Sequence, residues 1–317
     1  MRLAFGGFDG ILICSLAMLL SPAEAAIVFE ETFDSDHTAN WQVNSSAGDN
    51  RANFFFDYGT VGIPPAPHSA GTTLGLKLQA NVTGNIFGGI SVSPKNQTFS
   101  GDYILRFDMW LNYNGPLDSG FVGTTQLTGA GIGTNGTAVQ WGSGTQSSVH
   151  FGVTGDGDVV SDYRAYSSVA PGGYSAGDPV YFAPSRDSND PYYAQFGNEI
   201  APAAQLALYP QQTGSTRIGT QGFAWRDAAI EKSGDFATFS INGLPIARVD
   251  LTTVVLTGEN ILFNQYDINS SSSSDPNAPV LLFGLIDNVR IEAVPEPSSM
   301  VLSALLLGGA LFRRKAS

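Results

Sequence analysis

Apolar and polar residues alternate in short bursts along the chain, and Gly, Asn or Asp interrupts each burst before it reaches ten or so residues. A two-residue period of this kind belongs to strands, whose successive side chains point to opposite faces. It predicts strands over Ala26 to Phe33, Thr73 to Gln79, Gly88 to Val92, Tyr103 to Leu111, Ser148 to Val153, Phe223 to Lys232, Phe236 to Ile241, Pro245 to Asp250 and Val280 to Ile291. No window sustains a helical period for long, and only Pro202 to Leu208 reads as a short helix. The clearest stretch is the run from Gly222 to Asp250. Ser233-Gly234-Asp235 and Asn242-Gly243 supply the positive φ angles of tight hairpins, so three antiparallel strands should follow one another there. In the middle strand Ala237, Phe239 and Ile241 would face one side and Phe236, Thr238 and Ser240 the other, as in a sheet with one buried face. The expected class is all-β: an antiparallel sandwich.

The two ends break this pattern. Arg2 precedes an apolar run from Gly10 to Leu20, and Ala23-Glu24-Ala25 follows with small side chains where signal peptidase needs them. A secretory leader over residues 1–25, helical and cut after Ala25, is the expectation. At the other end Val294-Pro295-Glu296-Pro297-Ser298-Ser299 leads into an apolar run from Met300 to Phe312, closed by Arg313-Arg314-Lys315. The prolines keep the first block extended, the run can enter a bilayer, and the basic cluster stays cytoplasmic. At 13 residues the run falls short of the roughly 20 that span hydrocarbon comfortably, so a permanent anchor would be marginal.

This three-part tail resembles the PEP-CTERM sorting signal, with Pro295, Glu296, Pro297, Arg313 and Arg314 as its marks. The resemblance implies an exosortase partner that cuts near the Pro-Glu-Pro. It further implies that 294–317 is a sorting signal with a short transmembrane helix, a transient inner-membrane intermediate held by it, and delivery to the cell envelope, the outer surface or an extracellular matrix, often in a bacterium that makes exopolysaccharide. The body, residues 26–293, resembles a concanavalin A-like or laminin G-like jelly roll. The likeness rests on the opening Glu31-Thr32-Phe33-Asp34 with Trp41 downstream, the Ile241-Asn242-Gly243 hairpin and the closing Leu282 to Ile291 strand. In such domains the first and last strands pair. The stretch between Gly115 and Gly222 exceeds a minimal sandwich and reads as long loops with some added strands.

Composition narrows the function. Acidic residues outnumber basic ones 28 to 15, for a net charge of −13, which repels phosphate backbones and argues against nucleic acid. The two ends together carry one net positive charge, so the body is slightly more acidic than the whole. The single cysteine, Cys14, lies in the leader, which leaves the body without disulfides or thiol chemistry. Laminarinase-type jelly rolls set two carboxylates on one strand face as Glu-x-Asp-x-x-Glu, and no such run occurs. Other catalytic motifs are missing, and His37, His68 and His150 are scattered. The expectation is a protein that is not an enzyme, with a binding or structural role; a glycoside hydrolase or polysaccharide lyase with an unfamiliar pair, such as Asp227 with Asp108, is the alternative.

Two kinds of site are candidates. Calcium takes oxygen ligands from loops, and pairing of the first and last strands would bring Glu31 and Asp34 toward Asp287; Gly155-Asp156-Gly157-Asp158 is a second place. Glycans stack on exposed rings, and Tyr163, Tyr166, Tyr192 and Tyr193, with Tyr174, Tyr181, Trp110 and Trp141 as further material, are the aromatic candidates. The alternative for each is ordinary turn chemistry or loop packing.

Overall fold

The computed structural model describes residues 25–82, 87–118, 124–157, 160–267 and 276–294. The expected leader helix with Ala23, the whole sorting tail from Pro295 through Arg314, the polar run Ser270 to Asp275 and Asp158 lie outside the described residues.

Fourteen strands are described: β1 (Ala26–Glu31), β2 (Trp41–Ser45), β3 (Arg51–Asp57), β4 (Leu74–Gln79), β5 (Gly88–Pro94), β6 (Tyr103–Asn112), β7 (Gln126–Thr134), β8 (Val149–Thr154), β9 (Tyr163–Tyr166), β10 (Arg226–Ser233), β11 (Phe236–Ile241), β12 (Leu244–Asp250), β13 (Asn260–Asp267) and β14 (Phe283–Ala293). The helix α1 (Ala203–Leu208) falls where the sequence places it. All strand pairings are antiparallel. The large sheet runs β12-β11-β10-β6-β14-β4-β3, and the small sheet runs β2-β5-β13-β7-β8-β9. β1 joins the large sheet beside β14, from Ala26 opposite Ala293 to Glu31 opposite Val289, so the first and last strands do pair. β7, β8 and β9 come from the long stretch after Gly115 and build the small sheet.

The hairpins follow from the turn residues. Gly234 has φ 54°, Asn242 48° and Gly243 76°, left-handed values that Gly and Asn adopt at little cost. Alternation then sorts the side chains. Leu105, Phe107, Met109 and Leu111 of β6, with Ile286, Val289 and Ile291 of β14, point between the sheets and meet Ile132, Phe151, Val153, Ile261 and Phe263. Phe107 sits edge-on to Phe263 with ring centroids 5.1 Å apart, and Phe151 stacks on Phe239 at 5.2 Å. Each such side chain contributes about 1.5–3 kcal/mol by leaving water.

The opposite residues of β6, including Arg106, Asp108 and Trp110, face outward. The stretch from Tyr58 to Thr73 lies over part of that outer face, where Tyr58, Val61 and Ile63 pack with Trp110, Phe223 and Leu285. The free edge of β12 is covered by the stretch at Val180–Phe182, which exchanges backbone bonds with it: Arg248 N to Val180 O at 2.7 Å and Phe182 N to Ile246 O at 3.2 Å. A covered edge does not recruit foreign strands.

Candidate functional site

Three carboxylates line up across the outer face of the large sheet. Asp227 of β10 lies opposite Asp108 of β6, and Asp108 lies opposite Asp287 of β14. Directly paired residues project to the same side of a sheet, so the three form one row. The β6–β14 register slips just after Asp287, where Asn288 takes φ 50°. This bulge lets one residue serve both buried acids: Asn288 N donates to Asp287 Oδ1 at 2.7 Å and Asn288 Nδ2 to Asp108 Oδ2 at 2.8 Å.

The loop above supplies the remaining partners. His68 meets Asp108 twice, through its backbone N–H at 3.2 Å and its Nδ1 at 2.8 Å. The Tyr58 hydroxyl lies 3.0 Å from Asp287 Oδ2 and accepts from Ala66 N at 3.2 Å. Asp287 has no solvent exposure. Burial, with smaller contributions from the charges of Asp108 and Asp34, raises its carboxyl to about 7 against the bonds from Asn288 and Tyr58.

His68 is half exposed and opens onto a small pocket with Asp227, Arg106, Arg290, Glu30 and Thr32. Glu292 engages both arginines, Arg290 at 2.8 Å and Arg106 at 3.4 Å. The pocket holds about 70 Å³. That is room for water or a small ion, well below the roughly 300 Å³ at which small-molecule sites begin.

The expected calcium trio is not gathered. Glu31 lies opposite Val289, a core residue, and so points to the other face of the sheet from Asp287. Its oxygens are engaged by Phe33 N at 2.9 Å, His37 Nδ1 at 2.9 and 3.0 Å and Trp41 Nε1 at 3.5 Å. Asp34 is the member whose charge reaches Asp287. Among the described residues no group of three His, Cys, Asp or Glu side chains could hold a metal ion. Asp156 Oδ2 accepts from both the N–H and the hydroxyl of Thr124, at 2.6 and 2.5 Å.

The tyrosine expectation also needs correction. Tyr163, Tyr166 and Tyr193 are fully buried: the first and second are the two ends of β9, paired with β8, and the third lies in the short turn Pro191–Tyr193 that packs on Tyr163. Tyr163 stacks on Tyr193 at 3.8 Å and Tyr166 on His150 at 4.7 Å, so their faces are occupied. Tyr192 is half-buried, edge-on to Tyr193 at 5.4 Å, with its hydroxyl donating to Pro245 O at 2.7 Å. Trp110 and Trp141 are buried as well.

An aromatic surface exists elsewhere, at the β11–β12 edge of the large sheet. Pro179, Val180, Phe182, Phe236, Arg248 and Asp250 line an open groove of about 410 Å³. Phe182 is 45% exposed, and the Arg248 guanidinium lies 3.7 Å over the Phe236 ring. Asp250 is held below the ordinary carboxylate range by the hydroxyl and the N–H of Thr252, at 2.6 and 2.9 Å, and is charged at neutral pH. The signal for this site was the placement of Phe236 on the polar face of its strand.

The C-terminal segment matches the PEP-CTERM protein-sorting motif over residues 293–315. The motif implies export, a membrane-held intermediate and processing by an exosortase. No curated protein matches the chain. Among solved structures the chain is similar to a protein of unknown function with a galectin-like fold from Bacillus subtilis, at 14% identity over 85% of this chain and 96% of that one, with a TM-score of 0.45. It is similar to a Bacillus licheniformis beta-glucanase at 13% identity over 84% and 98%, TM-score 0.40. A carbohydrate-binding module from Bacillus subtilis aligns at 10% identity over 69% and 86%, TM-score 0.35.

Proposed function

We propose that the body is a non-catalytic glycan-binding module, delivered to the cell envelope through its sorting tail, and that the groove between Phe182 and Phe236 is where the sugar binds. One observation carries this: the groove joins an open ring, a guanidinium on a second ring and an ionised carboxylate in a volume that suits a sugar ring or two. Apolar C–H faces of a pyranose would pack on Phe182, and Arg248 and Asp250 would take hydroxyls. The test is retention of the purified body, residues 26–294, on insoluble or gel-embedded polysaccharide from the producing cells. Phe182→Ala and Arg248→Ala should each weaken retention by about tenfold or more, the loss that goes with one stacking or bidentate contact. Unchanged retention in both would refute the site.

The hydrolase or lyase alternative is favoured by the register of Asp227 with Asp108 and the His68 side chain beside them. Against it stand the small pocket and the three protein donors already on Asp108. Release of reducing ends or unsaturated products, abolished by Asp227→Asn, would establish catalysis; the expected result is intact polysaccharide. For calcium, the expected outcome is an unchanged melting temperature after chelation, because Glu31 and Asp287 spend their oxygens on protein donors.

A further inference from the structure

The sorting motif begins inside the fold. Its first matched residue, Ala293, is still in β14, opposite Ala26 on one side and Tyr103 on the other. The next residue, Val294, donates its N–H to Asp102 O at 3.0 Å. Pro295 follows at once. Asp102 is itself pinned, its carboxylate taking the Gly234 N–H at 2.9 Å. Any enzyme that grips Pro295 to Pro297 in an extended form therefore meets, at the rim of its cleft, two residues that the sheet holds in place.

The surroundings of those residues are apolar and uncharged. The β1–β14 register shifts between Ile27 and Phe29, which leaves Val28 as an extra residue in the strand. Phe29 turns inward to lie 5.6 Å from Phe99, while Ile27 and Val28, adjacent in sequence, are both more than half exposed. Beside them a groove of about 200 Å³ is lined by Val28, Gln97, Thr98, Ser100, Ile291 and Ala293, with no charged side chain, on a chain with a net charge of −13. Two adjacent exposed aliphatics on an edge strand are a binding surface or a liability.

The chain length sets the distance to the membrane. Six residues, 294–299, separate β14 from the apolar run at Met300, and at about 3.3–3.6 Å each they reach no further than about 22 Å. The end of the sandwich bearing Val28 thus stays within that distance of the run whenever the domain is folded.

We infer that this end of the sandwich, with Ile27 and Val28 and the groove from Gln97 to Ser100, is a docking surface for the membrane-embedded enzyme that processes the tail, so that the enzyme reads the folded body as well as the motif. The inference is independent of the glycan groove. It also means that β14, the last strand made and one bonded on both sides, must be in place before the substrate is complete.

The experiment follows processing of the full chain in the cells that produce it, by intact mass and by the fraction of precursor left in membranes after a pulse. Two variants are compared with wild type: Val28→Glu, and an insertion of six Gly and Ser residues between Val294 and Pro295 that leaves the sheet untouched and moves the motif away from it. Melting of the purified Val28→Glu body checks that it folds. Each variant should slow processing by about tenfold, the effect of losing roughly one well-buried aliphatic contact. Processing of both at the wild-type rate would overturn the inference. So would a Val28→Glu variant that is processed normally while the tail-less body loses affinity for phospholipid vesicles, since the surface would then be a lipid contact.

Discussion

The two outer faces of the sandwich, one on each sheet, began with similar raw material and ended in opposite states. On the small sheet, the stretch around Gln140 and Trp141 lies over the strands and closes the surface: Trp141, Leu127, Tyr166 and Tyr266 form a cluster of their own, and His150 sits beside them with no exposure. On the large sheet, the loop from Tyr58 to Thr73 covers only part of the face, and His68, Asp227, Phe182 and Arg248 reach solvent. A covering loop converts chemistry into packing. Histidine and tyrosine on the closed face are locked into stacks, whereas His68, Phe182 and Arg248 on the open face keep contact with solvent.

The largest effect is expected from removing the cover. Trp141→Ala takes out a side chain that contacts Phe87 at 4.9 Å between ring centroids and seals the small sheet, and should cost about 3–5 kcal/mol in urea denaturation. A loss below about 1 kcal/mol would mean that the cover is not part of the core.

Next in size are two pH effects of opposite sign. Burial lowers His150 to about 3, so below the ordinary histidine value the unfolded chain binds a proton that the folded one refuses. Stability then falls as pH drops from about 6.5 toward about 3, by up to about 1.4 kcal/mol per unit. Asp287, raised to about 7, keeps a proton that the unfolded chain has already released, so its contribution is full below about 3.9 and is lost as pH rises to about 7. His150→Phe should therefore remove the acid-side loss, and Asp287→Asn the loss toward neutrality. Denaturation at intervals of one pH unit separates them, and equal slopes in all three proteins would contradict the contrast.

The smallest stability change belongs to the open groove. Phe182→Ala should move stability by no more than about 0.5 kcal/mol, because the ring is half in water, while glycan retention falls. A large destabilisation would show that Phe182 is core and would weaken its assignment as a contact.

The legible part of the fold was where pattern and turn chemistry agreed. The β10–β11–β12 run, β6 and β14 came from alternation bounded by Gly and Asn, and the pairing of first and last strands followed from the jelly-roll likeness. β7 was hidden because Gln126-Leu-Thr-Gly-Ala-Gly-Ile-Gly-Thr134 has little strand propensity. Its glycines are there for close approach: a Cβ on Gly129 would lie 1.8 Å from Phe151 O. β13 was hidden because both of its faces are buried, which removes the alternation. β2, β3 and β9 are short or irregular, with β3 broken by a register shift between Asn53 and Phe56.

The site was legible only in fragments. Asp227 and Asp108 could be named as a pair, but not the bulge at Asn288 or the loop that brings His68 to Asp108 across 40 positions. The tyrosines misled because composition does not say that Tyr163 and Tyr166 belong to a strand, β9, whose faces are covered. The sorting tail was fully legible, since its order of proline, apolar and basic blocks is itself the signal.

The central claim is that the open face binds sugar without cutting it, and calorimetric titration of the purified body with soluble fragments of the producing cells' polysaccharide, followed by chromatography of the recovered sugar, tests it most directly. The expected result is saturable heat with the wild-type protein, little with Phe182→Ala, and fragments of unchanged length in both. Shortened fragments, or binding indifferent to Phe182, would contradict it.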